Sequence, residues 1–124
     1  MRRGVHLAIG IVIFFIYSYF MIRFSPITEI SLLYGIVAVA IGSVLPDIVE
    51  PATSSHHRGF FHSRGVLACT LFAFIVTAAA EIALPYLPSP SQFSFSQIYF
   101  ISSFLLGYSF HLLADSLTPA GLPG

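Results

Sequence analysis

Apolar positions gather into four long blocks along this chain, and polar positions are pushed to the block ends and into one central loop. The blocks run from about Val5 to Ile22, Ile27 to Val44, Val66 to Leu84 and Ile98 to Leu117. Each approaches the roughly 20 residues that a helix needs to cross a bilayer's hydrocarbon core. The pattern predicts an all-α, polytopic membrane protein, a four-helix transmembrane bundle forming one domain over residues 1–124. The second block is expected to stop at Pro46, whose ring removes a donor and disfavours helix in the residue before it. Between the third and fourth blocks, "PYLPSPSQFSFSQ" holds three prolines and no charge, and it reads as an extended, turn-rich connection.

Composition removes the soluble alternative. Of 124 residues 56% are hydrophobic and 8% charged, against about 25% charged in an average soluble domain. A domain of this size has too little interior to hide that much apolar surface. The first block follows Arg2 and Arg3 as a secretory signal would. Its apolar run exceeds the usual signal core of about 7–15 residues and lacks a small-residue cleavage pattern, so it is expected to remain as a span. Net charge is zero, and without a basic patch no nucleic-acid partner is expected. The single Cys69 cannot form an internal disulfide.

All five basic side chains are arginines, and they set an orientation. Arg2, Arg3, Arg58 and Arg64 fall on one side of a four-span arrangement and Arg23 on the other. Cytoplasmic loops carry the positive excess, so both termini and the central loop are expected in the cytoplasm, with the protein in the plasma (inner) membrane.

On that topology the remaining polar groups converge. His6 starts the first span, Asp47 and Glu50 follow the second, and the loop "HHRGFFHS" carries His56, His57 and His62. His111 and Asp115 close the fourth span, so every histidine and every acid except Glu29 and Glu81 shares one depth. The four-residue spacing of His111 and Asp115 puts both on one helix face, and that face continues back through Gly107 to Ser103. A small and polar stripe belongs inside the bundle, and Gly10, Gly35 and Gly42 offer matching points of close approach. An intramembrane Asp beside a His is a functional-site hypothesis, and converging His and Asp side chains are ligand types that zinc and related divalent ions select.

"GSVLPDIVEP", "HRGFFHS" and "GYSFHLLADSLTPAGLP" together resemble the membrane-embedded metal-dependent hydrolase family described as LexA-binding and inner-membrane-associated. The resemblance covers nearly the whole chain. It implies metal-ligand roles for His6, Asp47, His57, His62, His111 and Asp115, and leaves His56 outside the motif. The family's Leu-Pro-Asp turn usually continues with Asp and then His, where this chain has Val49 and Glu50, and Phe61 stands where Thr is usual. Family members often run past the Thr-Pro turn into a tryptophan-containing apolar segment, whereas this sequence ends at Gly124. More distantly the pattern is similar to the zinc-dependent phospholipase C and P1 nuclease group.

The expected activity is metal-dependent hydrolysis of a lipid or amphiphilic phosphoester at the cytoplasmic face, with membrane lipids as surroundings and substrate source. Asp47 or Glu50 would act as general base, and Arg58 would bind the substrate phosphate through its planar fork. Zinc suits an imidazole-rich site best, and Mn or Fe fits the same ligands. A homo-oligomer is compatible with the small-residue faces, and a LexA-type repressor enters as partner through the resemblance alone. Other classes compete. A proton- or ion-coupled transporter would spread ionisable groups through the bilayer, but the outer half holds Glu81 as its only acid. A structural or assembly protein would explain the helix contacts but not the histidines, whereas a metal-binding membrane scaffold without catalysis stays open beside the transporter.

Overall fold

A backbone crossing hydrocarbon must satisfy its own N–H and C=O groups, and an apolar stretch of this length does so as a helix. The computed structural model describes residues 3–24, 28–49, 63–83, 86 and 92–117. They form α1 (Arg3–Met21), α2 (Glu29–Val49), α3 (Arg64–Ala83) and α4 (Gln92–Ser116). All four are long and apolar enough to cross a membrane. Two of the helix starts carry side-chain caps. The Ser31 N–H donates to Thr28 Oγ1 at 3.1 Å, and the Val66 N–H donates to Ser63 Oγ at 3.1 Å. Each cap satisfies one backbone donor that the first helical turn leaves open.

Two boundaries depart from the sequence expectation. Helix α2 continues through Pro46 to Val49, so Asp47 stands on the helix and not beyond it. Proline costs a helix its bond to the residue four back, yet in a bundle neighbouring helices can re-satisfy the freed groups. Here Pro46 is fully buried, and α4 packs along that part of α2. Helix α4 begins at Gln92, so half of the proposed extended connection is helical. Nothing after Pro90 in "SQFSFSQ" breaks a helix.

Helix α4 is the centre of the bundle and contacts each of the others. It is the most buried span, at 56% of its window against 6% for α3, which fits its polar stripe. Glycines set the α2–α4 spacing. A Cβ on Gly42 would strike the Phe104 carbonyl, and one on Gly107 would strike the Val39 carbonyl. Each helix therefore offers a notch for the other's backbone, the small-residue packing that membrane helices favour. Phe14, Val39 and Tyr99 fill one core cluster, and Tyr108 and Leu112 fill a second against Leu45, Val66 and Leu67. Phe72, Ile75, Val12 and Leu33 face outward, as lipid-contacting side chains should.

Helix α3 is held by polar contacts in the half of the bundle opposite His6. Glu81 is fully buried. Its carboxylate accepts the Tyr17 hydroxyl at 3.0 Å and the Ser102 hydroxyl at 2.5 Å. The Tyr17 and Ser102 hydroxyl oxygens lie 2.8 Å apart beside that carboxylate, and Ser18 is hydrogen-bonded to the Tyr99 hydroxyl at 2.6 Å. These contacts join α1, α3 and α4.

Candidate metal centre

The opposite end of the bundle brings three helices to one point. His6 enters from the first turn of α1, Asp47 from the last turn of α2, and His111 and Asp115 from successive turns of α4. His6, His111 and Asp115 are buried to 1–2% exposure, while the Asp47 side chain keeps 16% accessibility. Asp115 spans the two rings. Its Oδ1 lies 3.2 Å from His6 Nε2 and its Oδ2 lies 3.2 Å from His111 Nε2. Asp47 Oδ1 lies 3.5 Å from the same His111 Nε2. The imidazoles stack with centroids 3.7 Å apart and planes inclined by 27°.

The hydrogen on His111 can be placed by its partner. Nδ1 lies 2.6 Å from the Ser43 carbonyl oxygen. A carbonyl only accepts, so Nδ1 carries the hydrogen. Pro46 lacks the N–H that would meet the Gly42 carbonyl four residues back, whereas the Ser43 carbonyl accepts from α4 through a lone pair that the helix ladder leaves over. In the neutral ring Nε2 then presents a lone pair to Asp47 and Asp115, which are acceptors in their ionised form. A cation between them resolves that opposition. The arrangement also matches the usual second contact of a ligating histidine, whose other N–H is held by a carbonyl or carboxylate.

Two further observations fit a metal ion. Both ring nitrogens of His6 are buried and find no hydrogen bond among the described residues, although Nε2 lies at ion-pair distance from Asp115. His6, Asp47 and His111 each offer a ligand atom, all within 4.8 Å of one another, as a group that could hold an ion. The separations of 3.2–3.5 Å across the cluster compare with about 3.3 Å between neighbouring ligands of a tetrahedral zinc with bonds of about 2.0–2.1 Å.

A model of the YdjM inner membrane protein family matches residues 1–123. The chain belongs to that family. Membership supports a multi-pass inner membrane protein, which agrees with the four spans. No curated protein and no solved structure matches the chain.

In this YdjM-family chain the structure brings together four of the residues singled out in the sequence, His6, Asp47, His111 and Asp115. Glu50, His56, His57, Arg58 and His62 lie outside the described residues. The stripe Ser103, Gly107, His111 and Asp115 is buried throughout, as its spacing implied. Gly10 faces the Ser43 side chain next to the site, and Gly35 faces Phe14 and Tyr99.

Sequence reasoning missed two things. One is Ser43, which contributes its backbone carbonyl and so leaves no side-chain signature. The other is the setting of Glu81, which seemed an isolated acid but is enclosed by Tyr17 and Ser102. No local spacing relates those three positions, because they come from three helices.

Proposed function

We propose that this protein is a metal-dependent hydrolase of the inner membrane, acting on the phosphoester of a lipid or amphiphilic substrate at the cytoplasmic face. The observation that carries the reading is the His6–Asp115–His111–Asp47 cluster, with His111 Nδ1 fixed on the Ser43 carbonyl. His6, Asp47, His111 and Asp115 would hold the ion, with zinc first and Mn or Fe fitting the same donors. His57 and His62 would complete the set from the central loop. The chemistry supplied by a divalent ion in such a set is activation of water at neutral pH and neutralisation of phosphate oxygens.

The protein groups divide the remaining work. Asp115, buried between the two imidazoles, would share the ion with them, while the Ser43 carbonyl fixes the His111 ring. Asp47, at the accessible rim of the cluster, is placed to take a proton from an incoming nucleophile, with Glu50 as the other candidate base. Arg58 would bind the substrate phosphate in a bidentate manner. The arginine distribution supports a cytoplasmic orientation for both termini.

The test is elemental analysis of detergent-purified protein together with cleavage of a chromogenic phosphodiester. The wild type should retain a divalent metal and cleave the ester, and His111→Ala/Asp115→Ala should lose both. Metal-free wild type, or undiminished metal in the double variant, would overturn the reading.

A second reading, proton- or ion-coupled transport, is favoured by one observation. Glu81 is buried in the other half of the bundle within a hydrogen-bonded set, so ionisable groups occupy both halves. A pH-gradient flux assay in liposomes separates the two. Flux abolished by Glu81→Gln supports transport, and wild-type flux no greater than in empty liposomes rejects it.

A further inference from the structure

A groove of about 300 Å³ lies on the α1–α4 seam, lined by Ile9, Phe110, Leu113, Ala114, Ser116 and Leu117. Among the described residues its lining is apolar apart from Ser116, whose hydroxyl is turned to the Leu113 carbonyl at 2.6 Å. The groove and the metal cluster are adjacent through the chain itself. Phe110 and Ala114 each precede a cluster residue, His111 and Asp115, and Ile9 lies one turn along α1 from His6. From Phe110 to Leu117 the helix rises about 10 Å at about 1.5 Å per residue. That run goes from the interior of the span to the exposed Leu117 at the end of the bundle.

We infer that this groove seats one acyl chain of a glycerophospholipid whose phosphoester reaches the His6–His111–Asp115 cluster. The inference rests on the hydrolase reading for the role of the headgroup, and it adds the substrate class. Three features select this occupant. The groove lies within spans that face hydrocarbon, so lipid chains are its ordinary surroundings. A length of about two helical turns takes the headgroup-proximal half of a single acyl chain, whereas a packed helix of a second copy would contact a face much longer than this. The wet end of the groove and the metal cluster lie at the same end of the bundle, so a chain lying in it carries its headgroup towards the ligands.

The chain has no tryptophan, so an introduced one is a clean reporter. Leu113→Trp places it in the groove and Leu117→Trp at its mouth. Phe72→Trp, on the outward face of α3, is the control for bulk lipid contact. Each purified variant in detergent is titrated with a phosphatidylethanolamine brominated on one acyl chain, and fluorescence quenching is followed. The groove reporters should quench saturably, with an end point near one lipid per protein reversed by unbrominated phospholipid, while the control follows lipid mole fraction. Identical non-saturating curves for all three reporters would overturn the assignment. Metal content and phosphodiester cleavage are measured on the same samples. Saturable quenching without metal or cleavage supports the groove and rejects the hydrolase reading. Cleavage with non-saturating quenching does the reverse.

Discussion

The imidazoles of His6 and His111 stack at 3.7 Å, and one carboxylate, Asp115, spans both at 3.2 Å. Two helices thereby share one acid. Removing that acid leaves two buried rings facing each other without it, and breaking a buried pair from one side costs about 3–5 kcal/mol. Asp115→Ala should therefore lower both thermal stability in detergent and metal content. Asp47→Ala, at the more accessible rim, should lower metal content and phosphodiester cleavage with a much smaller change in melting. Thermal unfolding monitored beside elemental analysis checks both, and equal stability losses in the two variants would count against the assigned division of work.

Pro46 separates stability from site geometry. Replacing it with Ala restores a backbone donor and removes a residue about 3 kcal/mol unfavourable in a helix interior. The restored N–H would meet the Gly42 carbonyl four residues back and leave the Ser43 carbonyl with His111 Nδ1. Pro46→Ala is expected to melt no lower than wild type and to keep its metal affinity, because the hydrogen bond that supports His111 is untouched. Isothermal titration with zinc measures the affinity. A large loss of affinity would show that the proline also shapes the turn that presents the Ser43 carbonyl.

The glycine notches give a graded test of packing. A side chain on Gly42 or Gly107 meets backbone atoms of the facing helix, whereas Gly4 has nothing within 4 Å. Overpacking of a tight core costs typically about 1–3 kcal/mol. Gly42→Ala and Gly107→Ala should both lower the melting temperature, and Gly4→Ala should leave it unchanged or slightly raised. Similar melting in all three would contradict the α2–α4 contact.

Much of this arrangement was legible along the chain because membrane helices announce themselves by length and apolarity. The stripe from Ser103 to Asp115 could be read because a helix repeats its face every three to four residues. The break expected at Pro46 was not found, since a rule for isolated helices does not know that α4 packs against that turn. The Ser43 contact uses a carbonyl common to every residue, and the Glu81 set joins helices far apart in sequence. Both are properties of the assembled bundle.

The Glu81 set should act on stability alone if the hydrolase reading holds. Interhelical hydrogen bonds in membranes average about 0.6 kcal/mol and reach about 1.7 kcal/mol. Tyr17→Phe should destabilise the protein within that range and leave metal content and phosphodiester cleavage at wild-type values. A double-mutant cycle with Ser102→Ala should show coupling, because Tyr17, Ser102 and Glu81 are linked in one set. Loss of metal in Tyr17→Phe would mean that the two ends of the bundle are not independent.

The most direct measurement for the metal centre is an anomalous difference map at the zinc absorption edge from crystals grown with the purified metal content intact. The expected result is a peak within bonding distance of ring nitrogens of His6 and His111 and of an Asp47 oxygen, absent from a map recorded just below the edge. A map with no peak among these side chains, at full occupancy of the protein and with the fold intact, would contradict the metal centre.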